Sequence, residues 1–123
     1  ELFSTSDIVT VHLKLSERST GVIGPKQLAW MRPDSILVNT SRSRIVQTDA
    51  LIDALESRRL HLAAVDVFDV EPLPAQDRLA NTRGVIATPH IGYVTIEQFE
   101  MFYRDAVEDL RAWASGAPIR VLA

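Results

Sequence analysis

The sequence predicts an α/β fold built on a parallel β-sheet, and three observations support this prediction. Short apolar runs rich in β-branched residues recur at 8–13, 36–39, 62–67 and 85–88. Helical patterns separate several of these runs, as expected of βαβ units. The runs themselves show no apolar–polar alternation, so we expect strands that are buried on both faces of the sheet.

Local signals place two helices between the strands. Pro25 is predicted at the first position of a short helix, where its missing N–H costs nothing, and residues 32–34 end that helix. Thr48 is expected to cap a second helix, which presents one apolar face and continues to about Arg59.

A long helix is predicted near the end of the chain. It begins close to Thr95, which has capping-box spacing to Gln98, and Gly116 and Pro118 end it. One face of this helix is apolar through Phe99, Phe102, Tyr103, Ala106, Leu110 and Trp113. We interpret these side chains as packing in a core or a domain interface rather than as a stacking platform.

Composition excludes several classes of function. The 123 residues are 46% hydrophobic and 24% charged, as in an ordinary globular domain, and the formal net charge is −3. The sequence contains no cysteine and no basic tract, so we expect no disulfide, no nucleic acid and no anionic membrane surface as partner. No apolar run approaches the ~20 residues of a membrane span, which favours a cytoplasmic protein. Since no methionine opens the chain, we expect it to be a piece of a longer protein.

Polar side chains follow the predicted strands. Arg42 comes after the second strand, Asp66 lies near the end of the third strand with Glu71 after it, and His90 comes after the fourth. Open α/β sheets bind ligands in the crevice at the carboxyl ends of their strands. One cation, one imidazole and two carboxylates gathered there predict a functional site.

Each of these residues also has an ordinary structural interpretation. Arg42 is either a fork for a planar carboxylate or a surface arginine at a loop. Asp66 lies in an apolar run, where an unpaired charge would be costly, so a hydrogen-bond donor must face it. Glu71 is either a solvated loop carboxylate or the partner of His90, whose imidazole suits proton exchange near neutral pH.

The histidines show no metal-ligand pattern. His12 lies in a predicted strand, His61 in a turn and His90 after a proline, at separations that do not match known metal sites. We therefore predict no metal.

Three segments together carry a family resemblance. Residues 39–42 (NTSR), 64–72 (AVDVFDVEP) and 88–92 (TPHIG) resemble consecutive signatures of the D-isomer-specific 2-hydroxyacid dehydrogenases. The resemblance extends from about Ser6 to the final helix. It implies an incomplete Rossmann-like fold: residues 1–94 as the later half of the dinucleotide-binding domain, and 95–123 as a helix and tail returning to the substrate domain.

The resemblance also implies roles. Arg42 would bind the carboxylate of a 2-oxo or D-2-hydroxy acid, His90 would be the acid/base and Glu71 its paired carboxylate. The cofactor would be NAD, with NADP not excluded, and Asp66 would meet its nicotinamide end. The residues expected to contact the cofactor are His12, Leu13, Thr40, Ser41, Arg42, Asp66, His90 and Gly92. A homodimer is expected for the full-length protein.

Two departures from the family pattern stand out. Ser43 and Gln47 stand where glycine and an acidic residue are usual, and Ser43 is expected to restrict the loop that aims Arg42. The Gly-x-Gly-x-x-Gly turn is absent, since the five glycines are at 21, 24, 84, 92 and 116. We therefore expect the isolated chain to be inactive. Two alternatives remain: an NADH-sensing corepressor of the same fold, and an unrelated α/β module.

Overall fold

A computed structural model describes residues 1–122 of the chain. Four parallel strands lie at Ile8–Val11 (β1), Ile36–Asn39 (β2), Leu62–Val65 (β3) and Val85–Ala87 (β4). Four α-helices lie at Leu2–Thr5 (α1), Pro25–Trp30 (α2), Thr48–Glu56 (α3) and Ile96–Ala114 (α4), and Ser43–Ile45 forms a 3₁₀ turn. The predicted α/β fold is confirmed.

The strands are arranged in the order β1-β2-β3-β4, and each pairs in parallel with the next one along the chain. Right-handed crossovers that always step in one direction place their helices on the same face of the sheet. Accordingly, α2 and α3 contribute to one core with the strands, and its most fully buried apolar side chains are Leu28, Leu37, Ile45, Ile52 and Leu60.

The prediction that both faces of the sheet are buried is wrong for the described residues. Burial alternates along β1, where Val9 and Val11 are buried while the side chain of Ile8 is 58% exposed. Buried residues alternate with half-buried ones in β2 and β3. This alternation follows from the topology, because the two crossover helices α2 and α3 cover only the face of the sheet that carries the buried side chains.

The helix starts were predicted with mixed success. Pro25 is the first residue of α2, as expected, and Gln27 Oε1 accepts a hydrogen bond from the Gly24 N–H at 3.2 Å. Thr48 does not cap α3, because it is the first helical residue, and its hydroxyl donates to Asp69 Oδ2 at 3.0 Å. Helix α3 ends at Glu56, earlier than expected.

The chain divides into two compact units, Glu1–Gly92 and a second that begins at Tyr93. In the second unit Thr95 caps α4, with its Oγ1 accepting from the Gln98 N–H at 3.2 Å, as predicted. No residue of α4 is buried, so its aromatic face is not a core within the described residues. Its role as a domain interface, and the assignment of 1–94 and 95–123, remain predictions. Among the described residues no helix is long and apolar enough to cross a membrane.

Candidate active site

The strand register aligns the carboxyl ends of all four strands. Val11, Asn39, Val65 and Ala87 are paired in one row across the sheet. The ladder continues one step further, since the Asp66 N–H donates to Asn39 O and the Thr88 N–H donates to Val65 O, both at 3.0 Å. Residues distant in sequence are therefore delivered side by side at one edge.

The structure brings Glu71 and His90 into direct contact. His90 Nδ1 lies 2.7 Å from Glu71 Oε2, and Glu71 Oε1 accepts from the Phe68 N–H at 3.0 Å. The hydrogen bonds from His90 and from the Phe68 N–H, with the charges of His90 and Arg42, hold the pKa of the Glu71 carboxyl below its ordinary value. An ionised carboxylate only accepts hydrogen bonds, so Nδ1 carries the proton in this pair.

Asp66 is buried, being 3% exposed, and three donors of the same unit surround its carboxylate. Oδ1 accepts from the Thr88 hydroxyl at 2.5 Å and the Ile91 N–H at 2.9 Å, and Oδ2 accepts from the Gly92 N–H at 2.7 Å. Burial raises the pKa of this carboxyl, but the three hydrogen bonds outweigh burial and the pKa lies below its ordinary value. The donors that the sequence demanded for Asp66 are thus one side-chain hydroxyl and two backbone N–H groups of a single turn.

That turn, residues 88–92, carries His90 and is called the His90 turn below. His90 has a φ of 56°, a left-handed conformation that costs about 1 kcal/mol or more for a residue other than glycine. Gly92 is restricted by Asp66, because an added Cβ would stand 2.9 Å from Oδ2 and displace the carboxylate or the turn. Asp66 therefore contacts this turn on both sides of His90.

Arg42 follows a turn shaped by the buried Asn39. The Asn39 side chain accepts from the Ser41 N–H at 3.1 Å and donates to Arg42 O at 3.0 Å. The guanidinium is exposed, and its Nη1 donates to Ser41 O at 2.6 Å. The bond to Ser41 O uses one of the five guanidinium N–H groups, and Nε and Nη2 can still donate together to a substrate carboxylate. The positive charge of Arg42 helps to hold the pKa of the Glu71 carboxyl below its ordinary value.

The ends of β1 and β2 are also joined. Ser41 Oγ donates to Leu13 O at 2.6 Å, so Ser41 and Leu13 lie next to each other as the predicted cofactor surface requires. His12 is exposed, and its Nε2 lies 2.8 Å from Thr10 Oγ1. Thr40 follows β2 directly and is exposed.

Ser43 and Gln47, which depart from the residues usual in the family, are both accommodated in the fold. Ser43 begins the 3₁₀ turn, and it is not among the described residues with positive φ, so a serine enters this loop without left-handed strain. Gln47 Nε2 donates to Gly21 O at 2.9 Å, and a Cβ at Gly24 would stand 2.7 Å from that nitrogen. The glutamine therefore has a structural partner of its own.

Sequence reasoning missed Thr88 and the N–H of Phe68, which hold Asp66 and Glu71 respectively. Thr88 could have been found from strand pairing, since it and Asp66 each come one residue after paired strand ends. A cavity of about 340 Å³ borders the His90–Glu71 pair, with mostly apolar walls that include Phe68 and Leu73.

Comparison with known proteins identifies the family. Residues 1–92 match the family model for the NAD binding domain of D-isomer specific 2-hydroxyacid dehydrogenases. The chain belongs to this family. The predicted resemblance, the Rossmann-like fold and NAD as the cofactor of the family are thereby confirmed.

Several members of the 2-hydroxyacid dehydrogenase family are similar over most of the chain. Glyoxylate/hydroxypyruvate reductase B of Enterobacter agglomerans is 42% identical over 115 residues, which cover 94% of this chain and 36% of that protein. (S)-sulfolactate dehydrogenase of Chromohalobacter salexigens is 42% identical over 110 residues, covering 89% and 36%. The structure of D-lactate dehydrogenase with NAD+ from Lactobacillus jensenii superposes with a TM-score of 0.83 at 30% identity, covering 99% and 41%.

The chain thus spans 36% of the length of the glyoxylate/hydroxypyruvate reductase and of the sulfolactate dehydrogenase. All three relatives are named as reductases or dehydrogenases, so they give no support to the alternative of an NADH-sensing corepressor. The roles of the individual site residues remain predictions.

Proposed function

We propose that the whole protein containing this chain is an NAD-dependent oxidoreductase that interconverts a 2-oxo acid and a D-2-hydroxy acid. The observation that carries the proposal is the 2.7 Å contact between His90 Nδ1 and Glu71 Oε2 at the carboxyl edge of the sheet. A carboxylate that holds one ring nitrogen fixes the tautomer and stabilises the imidazolium form. This arrangement suits an imidazole that must donate a proton and later recover it.

In the proposed reaction the chain's own residues supply position and a proton. Because Nδ1 is engaged with Glu71, the exchange falls to Nε2 of His90, which donates to the carbonyl oxygen during reduction and accepts from the hydroxyl during oxidation. Arg42 binds the substrate carboxylate through charge-assisted hydrogen bonds and stabilises the charge that develops on the nearby oxygen. The nicotinamide, when bound, supplies or accepts the hydride.

The carboxyl edge of the sheet fits a nicotinamide. Asp66 Oδ2 accepts one hydrogen bond from the chain, that of the Gly92 N–H, and a carboxylate oxygen has a second lone pair for a carboxamide N–H. Gly92 places no side chain against that oxygen, whereas a Cβ there would stand 2.9 Å from it. Asp66, Gly92 and Thr40, whose Cβ lies 3.8 Å from where a Cβ at Gly92 would stand, would hold the ring end of the cofactor.

The remaining expectations are proposals of the same kind. Residues 1–94 would form part of the dinucleotide-binding domain, and 95–123 would return to the substrate domain. The ends of the family match and of the first compact unit, both at residue 92, support this division. A cytoplasmic location and a homodimer complete the proposal, and the exposed apolar face of α4 is compatible with an interface.

The decisive experiment measures oxidation of NADH by the whole protein with glyoxylate and with hydroxypyruvate. His90→Ala should lower kcat by about 10²–10⁴, the usual contribution of a general acid. The matched control is His61→Ala, since His61 precedes β3 and lies at the opposite end of the strands, and it should leave kcat unchanged. NADH binding without turnover of any 2-oxo acid by the wild-type protein would reject the proposal.

A further inference from the structure

Thr88 makes three hydrogen bonds with three different groups. Its N–H donates to Val65 O at 3.0 Å, its carbonyl accepts from the His90 N–H at 2.9 Å, and its hydroxyl donates to Asp66 Oδ1 at 2.5 Å. The first bond extends the sheet and the second closes the tight turn around Pro89. The hydroxyl is therefore the one group of Thr88 that reaches across to a buried side chain.

The hydroxyl bond closes a ring of contacts around the His90 turn. The other two donors to Asp66, the N–H groups of Ile91 and Gly92, lie at the far end of this turn. Among the described residues, Thr88 provides the hydrogen bond to Asp66 from the near end. Without the Thr88 bond, the carboxylate would keep only the hydrogen bonds from Ile91 and Gly92, which follow His90 in the sequence. The carboxylate and these two residues could then move together relative to Thr88.

The position of His90 depends on this ring. Its left-handed backbone, with φ of 56°, is not the preferred state of a histidine and persists when the surroundings over-determine it. A misplacement of about 1 Å costs up to 10²-fold in rate when the reacting groups must be aligned. The Thr88 bond is well suited to prevent it, because an O–H donor to an ionised carboxylate at this distance is among the stronger hydrogen bonds.

We propose that Thr88 is a positioning residue, whose hydroxyl fixes Asp66 and through it aims the His90 imidazole at Glu71. The inference rests on the proposed function, because it assigns Thr88 a part in the same proton transfer. Thr88 acts through Asp66 and the turn, and it exchanges no proton with the substrate.

The test compares Thr88→Val, which removes the hydroxyl at nearly constant shape, with Thr88→Ser, which retains it. In the whole protein, Thr88→Val should lower kcat about 10- to 100-fold while the KM of the 2-oxo acid changes little. Because Asp66 is also proposed to hold the ring end of the cofactor, the rates are compared at saturating NADH. Thr88→Ser should recover most of that loss. Thr88→Ala serves as a second hydroxyl-free variant if the valine protein does not fold.

A control and a second readout separate positioning from stability. Thr82→Val also removes a threonine hydroxyl, which donates to Arg78 O at 2.8 Å outside the site, and it should destabilise the protein without lowering kcat. ¹⁵N NMR of the His90 ring should show the Nδ1 hydrogen bond weakened in the valine or alanine variant and retained in the serine variant.

The outcomes are distinguishable. An unchanged kcat and an unchanged ring spectrum without the hydroxyl, or a loss of kcat equal to that of Thr82→Val, would overturn the positioning role. If the wild-type protein turns over no 2-oxo acid, the proposed function fails by itself. The ring spectra then still decide whether Thr88 positions His90.

Discussion

Replacement of Asp66 by asparagine should lower the free energy of unfolding more than any other carboxylate-to-amide change near the site. Oδ1 accepts two hydrogen bonds and Oδ2 accepts one. The amide oxygen can keep the pair from Thr88 and Ile91, but the amide nitrogen then faces the Gly92 N–H, donor against donor. Loss of one hydrogen bond to a charged acceptor in a buried place lowers the free energy of unfolding by about 1.5–3 kcal/mol.

The assay is urea unfolding of the whole protein at neutral pH, with Asp69→Asn as the matched control. Asp69 lies three residues away, is exposed, and accepts a single hydrogen bond from Thr48. Its replacement should therefore shift the midpoint only slightly. Equal shifts for the two variants would refute the conclusion that the buried carboxylate organises the turn.

The stability difference between the wild-type protein and Asp66→Asn should also depend on pH. The pKa of Asp66 in the folded state lies below its ordinary value of 3.8, so its contribution to stability is fully present above that value. It is lost as the pH falls below 3.8 toward the folded-state pKa, because the carboxyl then gains a proton. The difference in unfolding free energy between wild type and Asp66→Asn should shrink over that range. A difference that stays constant in acid would contradict the assignment.

Three further variants or fragments test the remaining roles. Glu71→Gln should lower kcat for reduction at least about 10-fold, measured by NADH oxidation, because the amide no longer stabilises a protonated His90. Arg42→Lys should raise KM for the 2-oxo acid more than it lowers kcat, since an ammonium cannot form the two parallel hydrogen bonds of a guanidinium. The isolated 123-residue chain should show no turnover with NADH and a 2-oxo acid, and measurable turnover would refute this expectation.

Much of the fold could be predicted because its signals are local. The bounds of β2 and the start of α2 follow from apolar runs and from proline at the first helical position. The failures involve partners distant in sequence. The Thr48 hydroxyl was assigned to its own helix but binds Asp69, 21 residues away. Likewise, an apolar run does not reveal whether a helix will cover its second face, as the exposed Ile8 demonstrates.

The predictions for the candidate site likewise succeeded where a sequence signature was available and failed where contacts between distant residues decide the arrangement. Glu71 and His90 were paired from their residue types and from the family signature, and the structure brings them together. Thr88 was missed because its contact with Asp66 depends on the register of β3 against β4, and no local sequence pattern predicts that register. Arg42 was predicted to bind a substrate carboxylate, and its Nη1 donates to Ser41 O, a conformation that residue type alone does not determine.

The acid/base half of the proposed site is built within a single pair of neighbouring strands. Asp66 and Thr88 come one residue after β3 and β4, and Glu71 and His90 follow on the two connected loops. All the hydrogen bonds described for Asp66 and Glu71 therefore arise within the unit Glu1–Gly92. The parallel register that makes the sheet also sets the spacing of the proposed proton-transfer groups, so a change that shifts β4 against β3 should lower kcat before it unfolds the protein.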